Sequence, residues 1–234
     1  MIADNRGQLA SRLLVCRPGH RERWRTQTSY GAGWIALQTL SMLMIALVAG
    51  SAAAVEPDFT YCTTCHGSQG NGNPAIRAPK IAGVEPWYLT RQLQAFRAGI
   101  RGQHPGDTAG QEMQPVGERL KDDSIITKAV AFVGTLDAKP PPVTVAGDEG
   151  RGKSLYASCT ACHGAKGEGS EALNSPALAN RTDWYLVRQL ENYKNGLRGA
   201  DLKDTIGAPM RAVAATLPDH QAMLDVVAYI NTLR

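Results

Sequence analysis

The sequence predicts an all-α protein built from two similar tandem domains behind an N-terminal export segment. Apolar residues recur at helical spacing, as in Met223, Val226 and Ile230, and no run alternates long enough to indicate a sheet. A shift of 97 residues aligns 62–136 with 159–233 without a gap, and 30 of the 75 pairs are identical. A chain with this pattern is one domain duplicated, rather than two unrelated ones.

The N-terminal segment, residues 1–54, is predicted to be a signal peptide. It combines a basic region, an apolar stretch from Trp34 to Val48 and a small-residue site ending at Ala54, which are the three parts of a secretory signal. An uncleaved anchor is the alternative, because residues 34–55 carry no charge and are long enough to span a bilayer. In both cases we expect the body in the periplasm, either soluble or attached to the inner membrane.

The charge of the chain lies in this leader. Residues 1–54 account for the whole formal net charge of +4, and residues 55–234 carry 19 basic and 19 acidic side chains. A neutral body gives no electrostatic sign of nucleic-acid binding, and we expect none. With 43% hydrophobic and 20% charged residues, the composition is that of a folded protein and excludes a disordered chain.

We expect the first domain at 55–137, the second at 148–234, and a semi-rigid proline-rich linker at 138–147 between them. Four segments are predicted to be helical, namely 124–136, 149–159, 184–195 and 220–233. The last helix of each domain should begin at an aspartate cap, which is Asp122 or Asp123 in the first domain and Asp219 in the second.

The helix that precedes the cysteine motif is complete only in the second domain. The first domain offers a shorter segment, in which Phe59 matches the aromatic residue Tyr156. We therefore expect Phe59 to keep the corresponding contact within a shortened N-terminus.

A C-x-x-C-H motif near the start of each domain predicts covalent haem attachment. Thiols at positions i and i+3 of a helical turn can add to the two vinyl groups of one haem, and the next histidine then lies under the iron. The residues are Cys62, Cys65 and His66 in one domain and Cys159, Cys162 and His163 in the other. A disulfide framework or a zinc site is the alternative, but neither needs a histidine directly after each pair. The prediction is two haem c groups, each with its iron.

One methionine in each domain is the candidate second iron ligand. Met113 and Met210 both lie 51 positions after the first cysteine of their motif, in Gly- and Pro-containing segments that we expect to be loops. Such ligation gives His/Met haems with raised reduction potentials. His104 and His220 are the rivals, but neither is repeated, and we interpret both as solvated surface groups. Met223 aligns with an isoleucine and is expected in the core.

These motifs resemble those of class I cytochromes c, and the tandem arrangement resembles the dihaem cytochrome c4 family. The shared features are C-x-x-C-H-G-x-x-G-x-G, a proline thirteen residues after each histidine, a W-Y-L-x-R-Q-L helix and a C-terminal helix. The resemblance implies two facing cytochrome c domains. It also implies that the carbonyls of Pro79 and Pro176 accept hydrogen bonds from the two motif histidines.

The same resemblance implies that four aromatic residues border the haems and bond their propionates. They are Trp87, Tyr88, Trp184 and Tyr185. A place in the ordinary aromatic core is the alternative for each of them. Arg91 and Arg188 would offset propionate charge or would simply be solvated.

The resemblance implies an electron carrier and not an enzyme. Single electrons would pass from a respiratory or periplasmic donor, such as a quinol-oxidising complex or a dehydrogenase, to a terminal oxidase or reductase. The alternative function is the cytochrome subunit of a periplasmic dehydrogenase of the flavocytochrome sulfide or alcohol type. A haem enzyme is a third hypothesis. It requires one haem iron with a vacant or displaceable ligand, so Met113 or Met210 would not be bound.

Overall fold

The computed structural model describes residues 57–234, so the predicted signal or anchor at 1–54 lies outside the described residues. The described part of the chain forms nine α-helices and one 3-10 turn, and its only β pairing is two isolated bridges. The all-α prediction is confirmed. Within 57–234, no helix has both the length and the apolar character that crossing a membrane requires.

The helices fall into two corresponding sets. The first half contains α1 (Tyr61–His66), the 3-10 turn (Pro74–Ile76), α2 (Pro86–Arg97), α3 (Thr108–Arg119) and α4 (Asp123–Gly134). The second half contains α5 (Glu149–Tyr156), α6 (Thr160–His163), α7 (Asp183–Lys194), α8 (Gly207–Ala215) and α9 (His220–Asn231). The helix predicted at 149–159 therefore ends at Tyr156. The residues Asp122 and Asp219 cap α4 and α9, and their carboxylates accept the N–H groups of Ile125 and Ala222 at 3.0 and 2.7 Å.

Each half has its own apolar core. In the first half α2 packs against α3 and α4, and in the second α9 packs against α5 and α7. The aligned residues Ile126 and Met223 are both buried in these cores, as predicted for Met223. Burial of an apolar side chain of this size stabilises the fold by about 1.5–3 kcal/mol.

The contact predicted for Phe59 is present. The ring of Phe59 lies 6.3 Å from that of Phe132 on α4, and Tyr156 lies 5.4 Å from Tyr229 on α9. Because 132 and 229 are aligned positions, one aromatic pair joins the start and the end of each half. In the second half α5 also approaches the backbone of α9, since a Cβ on Gly152 would lie 2.0 Å from the backbone oxygen of Asp225.

The prediction that Met113 and Met210 stand in loops is wrong. Met113 lies within α3 and Met210 within α8. A proline inside a helix costs about 3 kcal/mol in isolation, so Pro115 argued against a helix here. Packing of α3 on α2 outweighs this cost, and Gly117 allows an approach so close that a Cβ there would lie 2.6 Å from that of Phe96.

A buried carboxylate fastens the linker to the second half. Asp183, which is fully buried, accepts hydrogen bonds from Thr144, from the backbone N–H of Val145 and from Asn231. Although burial alone would raise it, these bonds hold the pKa of Asp183 below its usual value. The aligned residue of the first half is Pro86, so the repeat gives no sign of this contact.

Replacing this carboxylate should destabilise the second half. We expect Asp183→Asn to lower the free energy of unfolding by about 1–3 kcal/mol at pH 7, because buried donors lose a charged acceptor. The depressed pKa means that this contribution is present above about pH 4 and is lost as the pH falls below it. Chemical denaturation followed by far-UV circular dichroism measures both effects. The exposed Glu171→Gln is the matched control, and equal stability of the two variants at pH 7 would contradict the prediction.

Candidate haem sites

The two C-x-x-C-H motifs occupy equivalent places. Cys62 and Cys65 lie on α1, whereas Cys159 precedes α6 and Cys162 lies within it. All four thiols are free of disulfide bonds, and the second cysteine of each pair is exposed. Burial raises the pKa of the other two, Cys62 and Cys159, above the usual thiol value. Unpaired thiols one helical turn apart fit the addition to one haem in each half.

The motif histidines are held by the prolines that the resemblance indicated. The Nδ1 atoms of His66 and His163 donate to the carbonyl oxygens of Pro79 and Pro176, each at 2.7 Å. Because a carbonyl can only accept, Nδ1 carries the proton in the neutral ring and Nε2 keeps a free lone pair. Burial lowers the pKa of both histidines, with partial opposition from the carbonyl bond. Protons therefore compete weakly with a metal for Nε2.

A largely apolar cavity of about 240 Å³ lies in the first half. Cys62, Cys65, His66 and Met113 all line it. Leu89 and other apolar side chains supply much of the remaining wall. The thiols, the histidine and the methionine thus meet around one hollow, as the attachment of a single haem requires.

Residues of the second half complete this cavity. Arg181, Thr182, Tyr185, Arg188 and Gln189, which lie on or just before α7, line it together with the first half. The repeat alignment assigns Tyr185 to the second haem, so its position at the first cavity is not visible in the sequence. The first site is therefore built at the contact between the halves.

Two arginines that were not among the predicted site residues lie at this contact. Arg101 and Arg198 are 7% and 5% exposed, and the Nε atom of each is buried without a hydrogen-bond partner. Gln92 Oε1 accepts from both, at 2.7 and 3.1 Å, and Arg101 also reaches the Tyr185 hydroxyl at 3.4 Å. Buried cations that bond only neutral groups call for an anion. Haem propionates fit this need, so the donor set matches the group.

The repeat did contain a signal for these arginines. Both stand in a G-x-R-G segment that occurs at the aligned positions of the two halves, at 99–102 and 196–199. The last glycine has a positive φ in both segments, and a Cβ on Gly102 or Gly199 would lie 2.5 Å from the carbonyl oxygen of Gly110 or Gly207. Only glycine fits there, and the turn fixes the arginine that precedes it.

The aromatic residues divide into two groups. Tyr88 lines the first cavity together with Tyr185, whereas the indoles of Trp87 and Trp184 are half-buried against these tyrosines at 5.7 and 6.1 Å. Arg91 and Arg188 lie over the two indoles, at 5.3 and 5.6 Å. Arg91 donates to Asn174 of the other half, and Arg188 keeps one buried nitrogen without a partner. Arg188 therefore has a charge to offer to an anion in the cavity.

The remaining candidates lie as follows. Met210 is half-buried on α8, which packs against α7. His104 and His220 are exposed, as expected for surface groups. His220 pairs with Glu191 at 2.8 Å.

Two haem-attachment motifs on a duplicated helical fold define a c-type cytochrome with two haems. The family model for cytochrome c matches residues 54–137 and again 150–234. Cytochrome c4 of Azotobacter vinelandii is 31% identical over 206 residues, which cover 84% of this chain and 96% of that protein. A solved structure of reduced recombinant cytochrome c4 from Pseudomonas stutzeri is 29% identical with a TM-score of 0.57, and the match covers 74% of this chain and 94% of that one.

A further relative is named for its role beside an enzyme. The "thiosulfate dehydrogenase electron acceptor" of Stutzerimonas stutzeri (strain A1501) is 34% identical over 173 residues, which cover 68% of this chain and 74% of that protein. The chain belongs to the cytochrome c family and, within it, to the dihaem cytochromes c4. It is an electron-transfer cytochrome with two c-type haems, and both motifs fit covalent attachment.

Removing one pair of thiols should remove one haem. We expect the double variant Cys62→Ala, Cys65→Ala to retain a single covalent haem after denaturation, because no thioether can form in the first half. The reciprocal variant Cys159→Ala, Cys162→Ala should keep only the first haem. The mass of the denatured chain measures the number attached. Two haems on either double variant would contradict this assignment.

Proposed function

We propose that this cytochrome is a periplasmic electron carrier without an enzymatic activity of its own, and that both its irons are closed by a histidine and a methionine. The axial pairs are His66 with Met113 and His163 with Met210. One observation carries the proposal, namely that Met113 and His66 line the same cavity. Haem c supplies a reversible one-electron couple at its iron. An iron with two protein ligands has no vacant position for a substrate.

The side chains of the chain itself would hold and orient these haems. The four motif cysteines fix them covalently, and Pro79 and Pro176 hold the histidine rings in the required tautomer. Tyr88, Tyr185 and the two tryptophans would border the haems. Arg101 and Arg198 would neutralise the propionates from the contact between the halves. We assign the two domains to 55–137 and 148–234, with the linker at 138–147, and the family matches support these bounds.

A periplasmic dehydrogenase is the electron donor that we favour. Support comes from the relative named as an electron acceptor of thiosulfate dehydrogenase. The acceptor would be a terminal oxidase or reductase of the respiratory chain. Residues 1–54 would export the chain as a signal peptide or hold it at the inner membrane. A neutral body suits brief docking with such partners.

A tightly bound subunit of a dehydrogenase is the second candidate function, and the same relative gives it support. Purification of the exported protein at native expression level separates the two functions. A free carrier elutes alone and is reduced in a second-order reaction by added dehydrogenase. Co-elution with a catalytic subunit at a fixed ratio would favour the subunit role.

Removing either methionine should open one iron. We expect Met113→Ala and Met210→Ala each to bind carbon monoxide at one haem and to lower the potential of that haem, because the vacant position admits an external ligand. Visible spectra of the reduced proteins with and without carbon monoxide provide the measurement. Met223→Leu is the matched control, since Met223 is buried in the second core. Carbon monoxide binding by the unaltered protein would contradict the closed sites and favour a haem enzyme.

A further inference from the structure

The two motif histidines donate to the carbonyl oxygens of two peptide groups. The N–H of each of these peptide groups donates to a side chain of the opposite half. The carbonyl of Pro176, which accepts from His163, shares its peptide group with the N–H of Ala177. That N–H donates to Glu85 Oε1 in the first half, at 2.9 Å. A chain of two hydrogen bonds therefore links a carboxylate of one half to the proximal histidine of the other.

The reverse connection follows the same route. The carbonyl of Pro79 accepts from His66, and the N–H of the same peptide group belongs to Lys80. Lys80 N donates to Thr182 Oγ1 in the second half, at 3.2 Å. Positions 85 and 182 are aligned in the repeat, as are positions 80 and 177. The two links therefore join equivalent positions of the repeat, but their acceptor groups differ.

The two acceptor side chains lie at helix N-caps, where a side chain ordinarily accepts a hydrogen bond from the first turn of its own helix. Glu85 is the N-cap of α2 and Thr182 is the N-cap of α7. A threonine at this position commonly accepts an N–H from the first turn of its helix. Neither side chain does so here. Both point across the domain contact and cap a peptide of the opposite half instead.

The two links differ in charge. Glu85 offers a carboxylate, whereas Thr182 offers a neutral hydroxyl. Hydrogen bonds to an ionised acceptor are about twice as strong as neutral ones, and successive hydrogen bonds polarise one another. The carboxylate therefore makes the Pro176 carbonyl a better acceptor than the Pro79 carbonyl. Outer partners of this kind raise the basicity of a metal-ligating histidine.

Nearby charged side chains affect how much the two proline carbonyls differ as acceptors. Arg181 pairs with the other carboxylate oxygen of Glu85 and also donates to the carbonyls of Ala177 and Gly83. It offsets part of the carboxylate charge without taking the oxygen that Ala177 uses. On the other side, the buried Lys80 puts a cation directly after the first proline. The surroundings of His163 and His66 therefore differ both in the acceptor side chain and in the charged residues next to it.

We propose that Glu85 is a positioning residue for the haem of the opposite domain, where it lowers the reduction potential through the Ala177–Pro176 peptide and His163. Thr182 performs the corresponding, weaker role for His66. A more basic histidine stabilises the oxidised iron, so the potential falls as the carbonyl bond strengthens. Each haem is thereby tuned by the domain that does not carry it, and the difference separates the potentials of two otherwise similar sites.

The test uses the full holoprotein with two single variants of opposite expected sign. Glu85→Gln keeps an oxygen acceptor but removes the charge, and should raise the potential of the second haem more than that of the first. Arg181→Gln leaves the carboxylate without its counter-charge, and should lower the potential of the second haem. A redox titration monitored by NMR of the haem methyl groups gives the reduction potential of each haem separately. The Nδ1 proton shift of His163 reports its carbonyl bond, which should weaken in Glu85→Gln.

Glu191→Gln is the charge-matched control, because Glu191 belongs to α7 but pairs with His220 at the surface. It should shift neither potential selectively and leave the His163 proton signal in place. Equal shifts of the two haems in Glu85→Gln, or an unmoved His163 signal, would overturn the proposal. It also rests on the proposed ligation by His163. Failure of that ligation is distinguishable, since it would remove the low-spin signal of the second haem in the unaltered protein, whereas failure of the tuning leaves that signal intact.

Discussion

The fold and both haem sites depend on the hydrogen bond between a motif histidine and a proline carbonyl thirteen residues later. This bond fixes the tautomer of His66 and of His163, so that the remaining ring nitrogen is free to bind iron. It also ties each short attachment helix to the loop that leads into α2 or α7. Gln92 of α2 and Tyr185 of α7 take part in the contact between the halves. One local bond therefore fixes which ring nitrogen carries the proton and holds the loop from which α2 or α7 begins.

The contact between the halves contains buried polar and charged side chains, unlike the apolar core of each half. Two buried arginines, Arg101 and Arg198, share an acceptor on Gln92 and have no carboxylate among the described ion pairs. An apolar interface would not tolerate uncompensated cations. The propionates of bound haems would supply an opposite charge to these two arginines, and haem binding would then also stabilise the contact between the halves. The same contact carries the links from Glu85 and Thr182 to the opposite histidines.

The sequence predicted the helices best where local rules act alone. The caps at Asp122 and Asp219 follow from side-chain geometry within one turn, and the helices of both cores follow from apolar periodicity. Prediction failed at Met113, because Pro115 and the glycines nearby weaken a helix on local grounds. Packing against α2 stabilises the helix there, and a tertiary contact of that kind leaves no local pattern.

By itself, the sequence determined the duplication, the attachment motifs and the all-α fold, because each depends on residues close together in the chain or on a repeat. The motif histidine and its proline are thirteen positions apart, and family resemblance was enough to pair them. Only the tertiary structure decided which groups meet across the domain contact. Glu85 and Ala177 are 92 positions apart, and nothing in either segment indicates the other. Such pairs depend on how two folded surfaces fit, a property that local spacing does not encode.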